Sequence, residues 1–331
     1  MFQMSSKNCN RCVFAELRKR EVLFLIKLID SHCDTITKIF INKENLLENT
    51  GHLDIKKLSL YENPLQFFAI YLSDEYLDGA FKHTLKFIDY FYEQIGANGK
   101  YINSAGSYEE ILSNRENNLI SAVLAIEGGE AVSDNLQNIS VFYELGVRLL
   151  TLTWNHRNCL GDGIGVKDGK GLTDLGKKAV EKMNELGMIV DVSHLNESGF
   201  WDVYGIAQKP FIASHSNSYT ICNHPRNLKD DQIEAVAKTG GMIGLNIFTN
   251  FVGENASIDG LMKHIDYIIN LVGDDFLGLG CDLDGITSAV SGISDVSDLV
   301  KLYQIINGKY GRVTADKIFF DNYDRFLEKM L

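Results

Sequence analysis

Leu28-Ile29-Asp30-Ser31-His32-Cys33-Asp34 is the stretch on which the reading of this chain turns. An apolar run closes on an imidazole and a carboxylate two residues apart, so in extended backbone His32 and Asp34 share one face and Cys33 takes the other. The same shape returns at Leu124-Ala125-Ile126-Glu127-Gly128-Gly129, at Ile189-Val190-Asp191-Val192-Ser193-His194 and at Phe211-Ile212-Ala213-Ser214-His215. It returns with carboxylates alone at Leu277-Gly278-Leu279-Gly280-Cys281-Asp282-Leu283-Asp284-Gly285. Imidazoles and carboxylates collected at strand ends are what a hydrolytic metal centre requires.

Working outward, short β-branched runs alternate with helical patterns along the whole chain. Strands are expected over 23–31, 67–73, 121–126, 147–153, 188–193, 211–214, 242–248 and 276–280, most of them continuously apolar, as strands buried on both faces should be. Between them, 80–95 repeats apolar residues at three and four. The pattern over 172–186 has Thr173 as a cap and Gly187 as a stop, and 258–271 is again amphipathic. Ser193, Asp230 and Ser257 stand before further periodic runs as candidate caps. Eight strands alternating with helices predict an α/β fold, a closed (β/α)8 TIM-type barrel forming one domain over 23–331. An N-terminal extension over 1–22 precedes it, for which disorder is one reading. Barrel chemistry sits at the C-terminal ends of the strands, which is where these groups fall. An open doubly wound sheet would need a glycine-rich first turn, and His32-Cys33-Asp34 stands there instead. Gly161-Asp162-Gly163-Ile164-Gly165 fails the dinucleotide spacing and reads as a loop, either a lid over the site or a plain connection.

Composition narrows the partners. With 331 residues, 45% hydrophobic and 23% charged, the chain can bury a large core, and its net charge of −12 argues against nucleic acid or an anionic membrane. Six scattered cysteines make no disulfide framework, and Cys9-Asn10-Arg11-Cys12 lacks the second pair of a zinc site. Apolar residues 22–26 are too few for a secretory or spanning segment, so the cytoplasm is the expected location and Asn138, Asn196 and Asn255 carry no glycosylation meaning.

Each candidate site residue has an ordinary alternative when taken alone. His32 and Asp34 can share one divalent cation or merely end a strand. Glu127 closes a buried strand before Gly128-Gly129, and a buried carboxylate needs a cation or an ion pair. One such glutamate bridging two ions would hold them about 3.5–4 Å apart. His194 and His215 are lone strand-end histidines whose weight lies in the combination. Asp282 or Asp284 could take and return a proton beside a metal-bound water, and Asp282 is the choice because it lies nearer the strand end. Arg226, after His224-Pro225, could hold a substrate carboxylate at two points or be a solvated loop residue.

At this point the chain resembles the membrane (renal) dipeptidase family of zinc peptidases, within the amidohydrolase-like barrels. The matching stretches are 30–35, 126–129, 146–153, 191–194, 214–216, 225–227 and 280–285, in order from about residue 28. The resemblance implies two zinc ions, one on His32, Asp34 and Glu127 and the second on Glu127, His194 and His215. It implies a bridging hydroxide as attacking group, Asp282 as the carrier of its proton to the leaving amine, and Arg226 on the C-terminal carboxylate of a small dipeptide. Family members often tolerate a D-residue at that C-terminal position, and some open β-lactam rings. Trp154 stands where animal members have a substrate-binding histidine, with His156 two residues on, so both are candidate substrate contacts. The secretory signal and lipid-anchor tail of animal members have no counterpart here, and membrane attachment is not carried over. Remaining alternatives are a related metal-dependent amidase or deacylase and a metal-binding barrel without turnover. A homodimer is left open.

Overall fold

The structure, a computed structural model, describes residues 26–254 and 256–331. The N-terminal extension, the Cys9/Cys12 pair, the first residues of the first expected strand and Asn255 lie outside the described residues. Eight strands follow in order: β1 (Lys27–Cys33), β2 (Glu62–Tyr71), β3 (Ile102–Ser104), β4 (Ile120–Glu127), β5 (Val147–Thr151), β6 (Ile189–Asp191), β7 (Ile243–Leu245) and β8 (Leu277–Leu279). Every pairing is parallel. Seven strands form one curled sheet in the order β6-β5-β4-β2-β1-β8-β7, and the short β3 joins β4 off that path.

The ladder does not run continuously around the eight expected staves. Residues 211–214, expected as a strand, make only single bridges to the two sheet edges, Ile212 with Asp191 and Ala213 with Ile243. The reason is local. Ile212 and Ala213 exchange backbone hydrogen bonds with the two edges, but Ser214 gives its N–H to the Asp191 carboxylate (2.9 Å) and its carbonyl accepts from the Ser31 hydroxyl (2.7 Å), so the pairing stops there.

Both faces of the sheet are covered, which explains the continuously apolar strands. Outward residues such as Leu28, Phe68, Ile70, Ile126 and Leu150 join the large core under the helices. Inward residues Ile29, Leu65, Phe67, Val123, Leu149, Ile189, Ile212 and Met242 fill a second core. Its floor is supplied by Phe320, Tyr323, Phe326, Leu327 and Met330 from the C-terminal turns, including the helix Asn322–Met330. That plug was not anticipated, although Tyr323, Phe326, Leu327 and Met330 carry helical spacing.

Helix boundaries follow their caps. Thr173 accepts from Gly176 N ahead of the helix Asp174–Leu186, which ends at Gly187 in the left-handed region (φ 82). Ser257 caps Ile258–Val272 in the same way. Ser193 caps nothing; the helix Glu197–Ile206 starts behind Asn196, whose side chain accepts from Gly199 N (2.8 Å). Asp230 is the first residue of its helix, behind Lys229.

Beneath the strand ends the backbones close tightly. A Cβ on Gly280 would stand 1.7 Å from the Ser214 carbonyl oxygen, and one on Gly244 1.9 Å from it. Gly280→Ala is therefore expected to lower the free energy of unfolding by about 3 kcal/mol or more, read from urea denaturation midpoints. Gly205→Ala, with nothing within 4 Å of its Cβ, should cost nothing. Equal midpoints for the two variants would contradict the close approach.

Candidate active site

The parallel strands deliver their last residues to one end. His32 Nε2 lies 3.5 Å from Asp34 Oδ2, 3.6 Å from Glu127 Oε2 and 3.9 Å from Asp282 Oδ1. The other oxygen of Glu127, Oε1, faces His194 Nε2 at 2.9 Å and His215 Nε2 at 3.5 Å. Two groups of donor atoms lie within 4.8 Å of one another, His32 with Glu127 and His215, and His32 with Asp34 and Asp282. The five residues expected as ligands thus converge, and Glu127 divides its two oxygens between them.

A divalent cation fits this cluster. His32 Nε2, His215 Nε2 and Asp34 Oδ1 are buried without any hydrogen-bond partner, a costly state for polar atoms unless something else binds them. Imidazole nitrogens and carboxylate oxygens are the donors that zinc and its neighbours take. In the metal-free protein protons stand in for the cation. Burial pushes the Glu127 carboxyl up to about 7 despite the opposing charge of His32. Burial works against a charged His32, but Glu127 and Asp34 outweigh it and hold the imidazolium well above its ordinary range. Burial keeps His194 and His215 neutral, their pKa values well below the ordinary one, with nearby Arg226 and His32 adding to the effect. The backbone is also unusual here. His194 (φ 67), Asp282 (φ 60) and Asp284 (φ 70) occupy the left-handed region that residues with a Cβ rarely adopt.

The two terminal aspartates separate cleanly. Asp284 is consumed in structure, accepting from Thr35 Oγ1 (2.6 Å), Lys38 Nζ (2.9 Å) and His52 N (2.6 Å). Asp282 accepts from Asn246 Nδ2 on Oδ2 (3.0 Å), leaves Oδ1 toward His32, and has its pKa raised chiefly by burial. Arg226 is buried, donates to the His215 carbonyl (3.3 Å), lies over the Phe251 ring and leaves Nε without a partner. Burial lowers its pKa to about 10, so it remains a cation at neutral pH. It lines a cavity of about 210 Å³ beside the site, whereas the main cleft of about 500 Å³ exposes Asp34, Glu127, His194 and Asp282.

Trp154 walls that cleft, stacked over His194 with ring centres 6.0 Å apart. His156 is exposed, does not line the main cleft, and packs edge-on against Trp154 with ring centres 5.2 Å apart. The glycine-rich loop is a pinned connection and not a free lid. Asp162 pairs with Arg157, Ile164 N donates to the His194 carbonyl (2.7 Å), and Gly165 N donates to the Asn155 carbonyl (2.9 Å). Sequence reasoning missed Asn155, which accepts from His194 Nδ1 (2.8 Å), together with Asn246 and Tyr71. All three end or follow strands, but an amide or a phenol carries no metal-ligand signal.

Comparison with known proteins agrees with this geometry. The sequence profile of the family described as membrane dipeptidase (peptidase family M19) matches residues 16–330. The chain belongs to this family. It is therefore a hydrolase of the metallo-dipeptidase class. An uncharacterized dipeptidase of Schizosaccharomyces pombe is 30% identical over 313 residues, covering 86% of this chain and 75% of that protein. A protein encoded in the pqqA 5′ region of Klebsiella pneumoniae is 35% identical over 229 residues, covering 65% of this chain and 84% of that protein. Among solved structures, a metallo peptidase from Rhodobacter sphaeroides, liganded with a phosphinate mimic of the dipeptide L-Ala-D-Ala, superposes with a TM-score of 0.86 at 27% identity. That match covers 93% of this chain and all of the other. Among the described residues, no helix is long and apolar enough to cross a membrane.

The protonation pattern of the dipeptidase site fixes how metal binding should depend on pH. Glu127 holds a proton below about pH 7, His32 holds one beyond its ordinary range, and both must be released to bind a cation, so zinc affinity should fall as pH drops from 8 to 6, by about tenfold per unit for each displaced proton. A chelator competition titration reads this directly, and a pH-independent affinity over that range would contradict the assigned ligands.

Proposed function

We propose that the chain is a binuclear zinc dipeptidase that hydrolyses the peptide bond of free dipeptides, both L-L and L-D. The observation that carries this reading is the split of Glu127, with Oε2 toward His32 and Oε1 toward His194 and His215. His32, Asp34 and Glu127 would hold one zinc, and Glu127, His194 and His215 the other. Bound zinc would polarise the scissile carbonyl and lower the pKa of the attacking water.

The remaining steps fall to the protein's own groups. Asp282, with Oδ2 occupied by Asn246, offers Oδ1 to receive the proton of the water and return it to the leaving amine nitrogen. Its raised pKa moves the carboxyl toward the range in which it can both accept and donate. Arg226, a buried cation with unused donor capacity, would hold the C-terminal carboxylate of the substrate. Trp154, Tyr71, Phe248 and Ile286 give the cleft an apolar wall that limits it to small peptides. The L-Ala-D-Ala mimic bound by the Rhodobacter relative supports tolerance of a D-residue.

Two structural parts belong to the same reading. Residues 211–214, bridged to both sheet edges, act as the eighth stave of a closed (β/α)8 barrel. The free, buried thiols of Cys33 and Cys281 support a reducing, cytoplasmic setting. A second reading, an amidase or deacylase for another small amide, is favoured only by Trp154 over His194 and by the place of Arg226 outside the main cleft lining.

The test is hydrolysis of L-L, L-D and C-terminally amidated dipeptides by zinc-loaded protein, with a chelator-treated control. Chelator-sensitive cleavage of the free dipeptides is expected, and zinc-bound protein that cleaves none of them would move the assignment to the other amides. Asp282→Asn should keep its zinc and lose about 100-fold or more in kcat. Arg226→Ala should raise KM for free dipeptides far more than for amidated ones, and equal effects would remove the carboxylate contact.

A further inference from the structure

Asp191 is fully buried below the site and is no ligand, yet four donors converge on it. Oδ1 accepts from Ser193 N (3.0 Å) and Ser214 N (2.9 Å), and Oδ2 from Thr151 Oγ1 (2.6 Å) and Ser214 Oγ (2.6 Å). Backbone N–H groups can only donate, so the carboxylate serves as an acceptor. A serine hydroxyl has one hydrogen, and that of Ser214 goes to its shortest partner, Asp191, in preference to Ser193 Oγ at 3.3 Å. The same Ser214 oxygen lies 2.7 Å from His215 Nδ1. With its hydrogen committed it can only accept there, so the ring proton of His215 sits on Nδ1. Nε2 is left as a bare lone pair, buried and without a partner, on the Glu127 side.

We infer that Asp191 and Ser214 are positioning residues, a carboxylate–hydroxyl relay that locks His215 in the Nδ1–H tautomer and so readies Nε2 for a cation. His194 reaches the same state by a different route, donating Nδ1–H to the Asn155 side chain. His32 has neither device, since both of its ring nitrogens lack hydrogen-bond partners. The relay has a second effect already visible in the fold: Asp191 ties the end of β6 to Ser214 and takes the Ser214 N–H, while Ile212 and Ala213 bond to the sheet edges through their backbones. Ligating histidines are generally oriented through their second nitrogen, and loss of that partner weakens metal binding. The inference rests on the metal-centre reading for its purpose, but the tautomer exists without the metal.

The experiment uses the full chain, metal-free and labelled with 15N-histidine, in a long-range 1H–15N correlation that distinguishes Nδ1–H from Nε2–H, with His215 assigned by its loss in His215→Gln. Wild type should show His215 as Nδ1–H. Asp191→Asn changes charge at constant shape and places amide hydrogens beside Ser214 Oγ. That frees the serine hydrogen for His215 Nδ1 and should flip the ring to Nε2–H. Zinc affinity, from chelator competition with helicity unchanged, should fall by about 10–100-fold in Asp191→Asn and in Ser214→Ala. An Nε2–H ring in wild type, or wild-type zinc affinity in folded Ser214→Ala, would overturn the relay; if both variants unfold, the wild-type spectrum decides alone. Intact tautomer and zinc binding without dipeptide cleavage would count against the dipeptidase reading and leave the relay standing.

Discussion

Three carboxylates, Asp34, Glu127 and Asp282, meet three imidazoles at the base of the cleft, and the rest of the molecule is arranged around that conflict. Without a cation, burial favours a proton on Glu127, and the neighbouring carboxylates favour one on His32 against the cost of its own burial. Coulomb repulsion among buried carboxylates is large at low dielectric, so the native site is one in which positive charge replaces those protons. In the proposed binuclear centre, the split of Glu127 between two groups of donors would put such charge on both of its sides.

Holding such a cluster demands rigid support, and the fold provides it from below. Asp30, fully buried, accepts from His32 N, Gln66 Nε2 and Cys281 N and so joins β1, β2 and the end of β8 beneath the ligands. Asp191 does the same for β6 and residues 211–214. Between these two acids the Ser31 hydroxyl, which accepts from Tyr323 of the C-terminal plug, contacts the carbonyls of Ser214 and Leu279. The closeness of Gly244 and Gly280 to Ser214 is the packing side of the same arrangement. The active end and the plugged end are thus one hydrogen-bonded column through the inner core.

Much of this was legible in the sequence because chemistry and periodicity coincide there. Apolar runs ending in His or an acid marked β1, β4, β6 and β8, and the same residues converge in space. Backbone bonding at Ser214 was not legible, since a serine hydroxyl and an aspartate compete for it over distances of twenty residues or more in the chain. The exposure of His156 was not legible either, since its spacing from Trp154 does not say whether it lines the cleft. Asn155 and Asn246 escaped because an amide acts here through another residue, His194 or Asp282, and such roles appear only with coordinates. Asp284 and Asp282 differ in their neighbours, Lys38 and Thr35 for one and Asn246 for the other, which spacing alone does not reveal.

The central claim is that Glu127 bridges two cations, and anomalous diffraction at the zinc absorption edge from crystals of the zinc-loaded protein tests it most directly. Two peaks about 3.5–4 Å apart are expected, one between His32, Asp34 and Glu127 Oε2 and the other between Glu127 Oε1, His194 and His215. A single peak at full zinc loading, or two peaks of which one lies away from Glu127, would contradict the account.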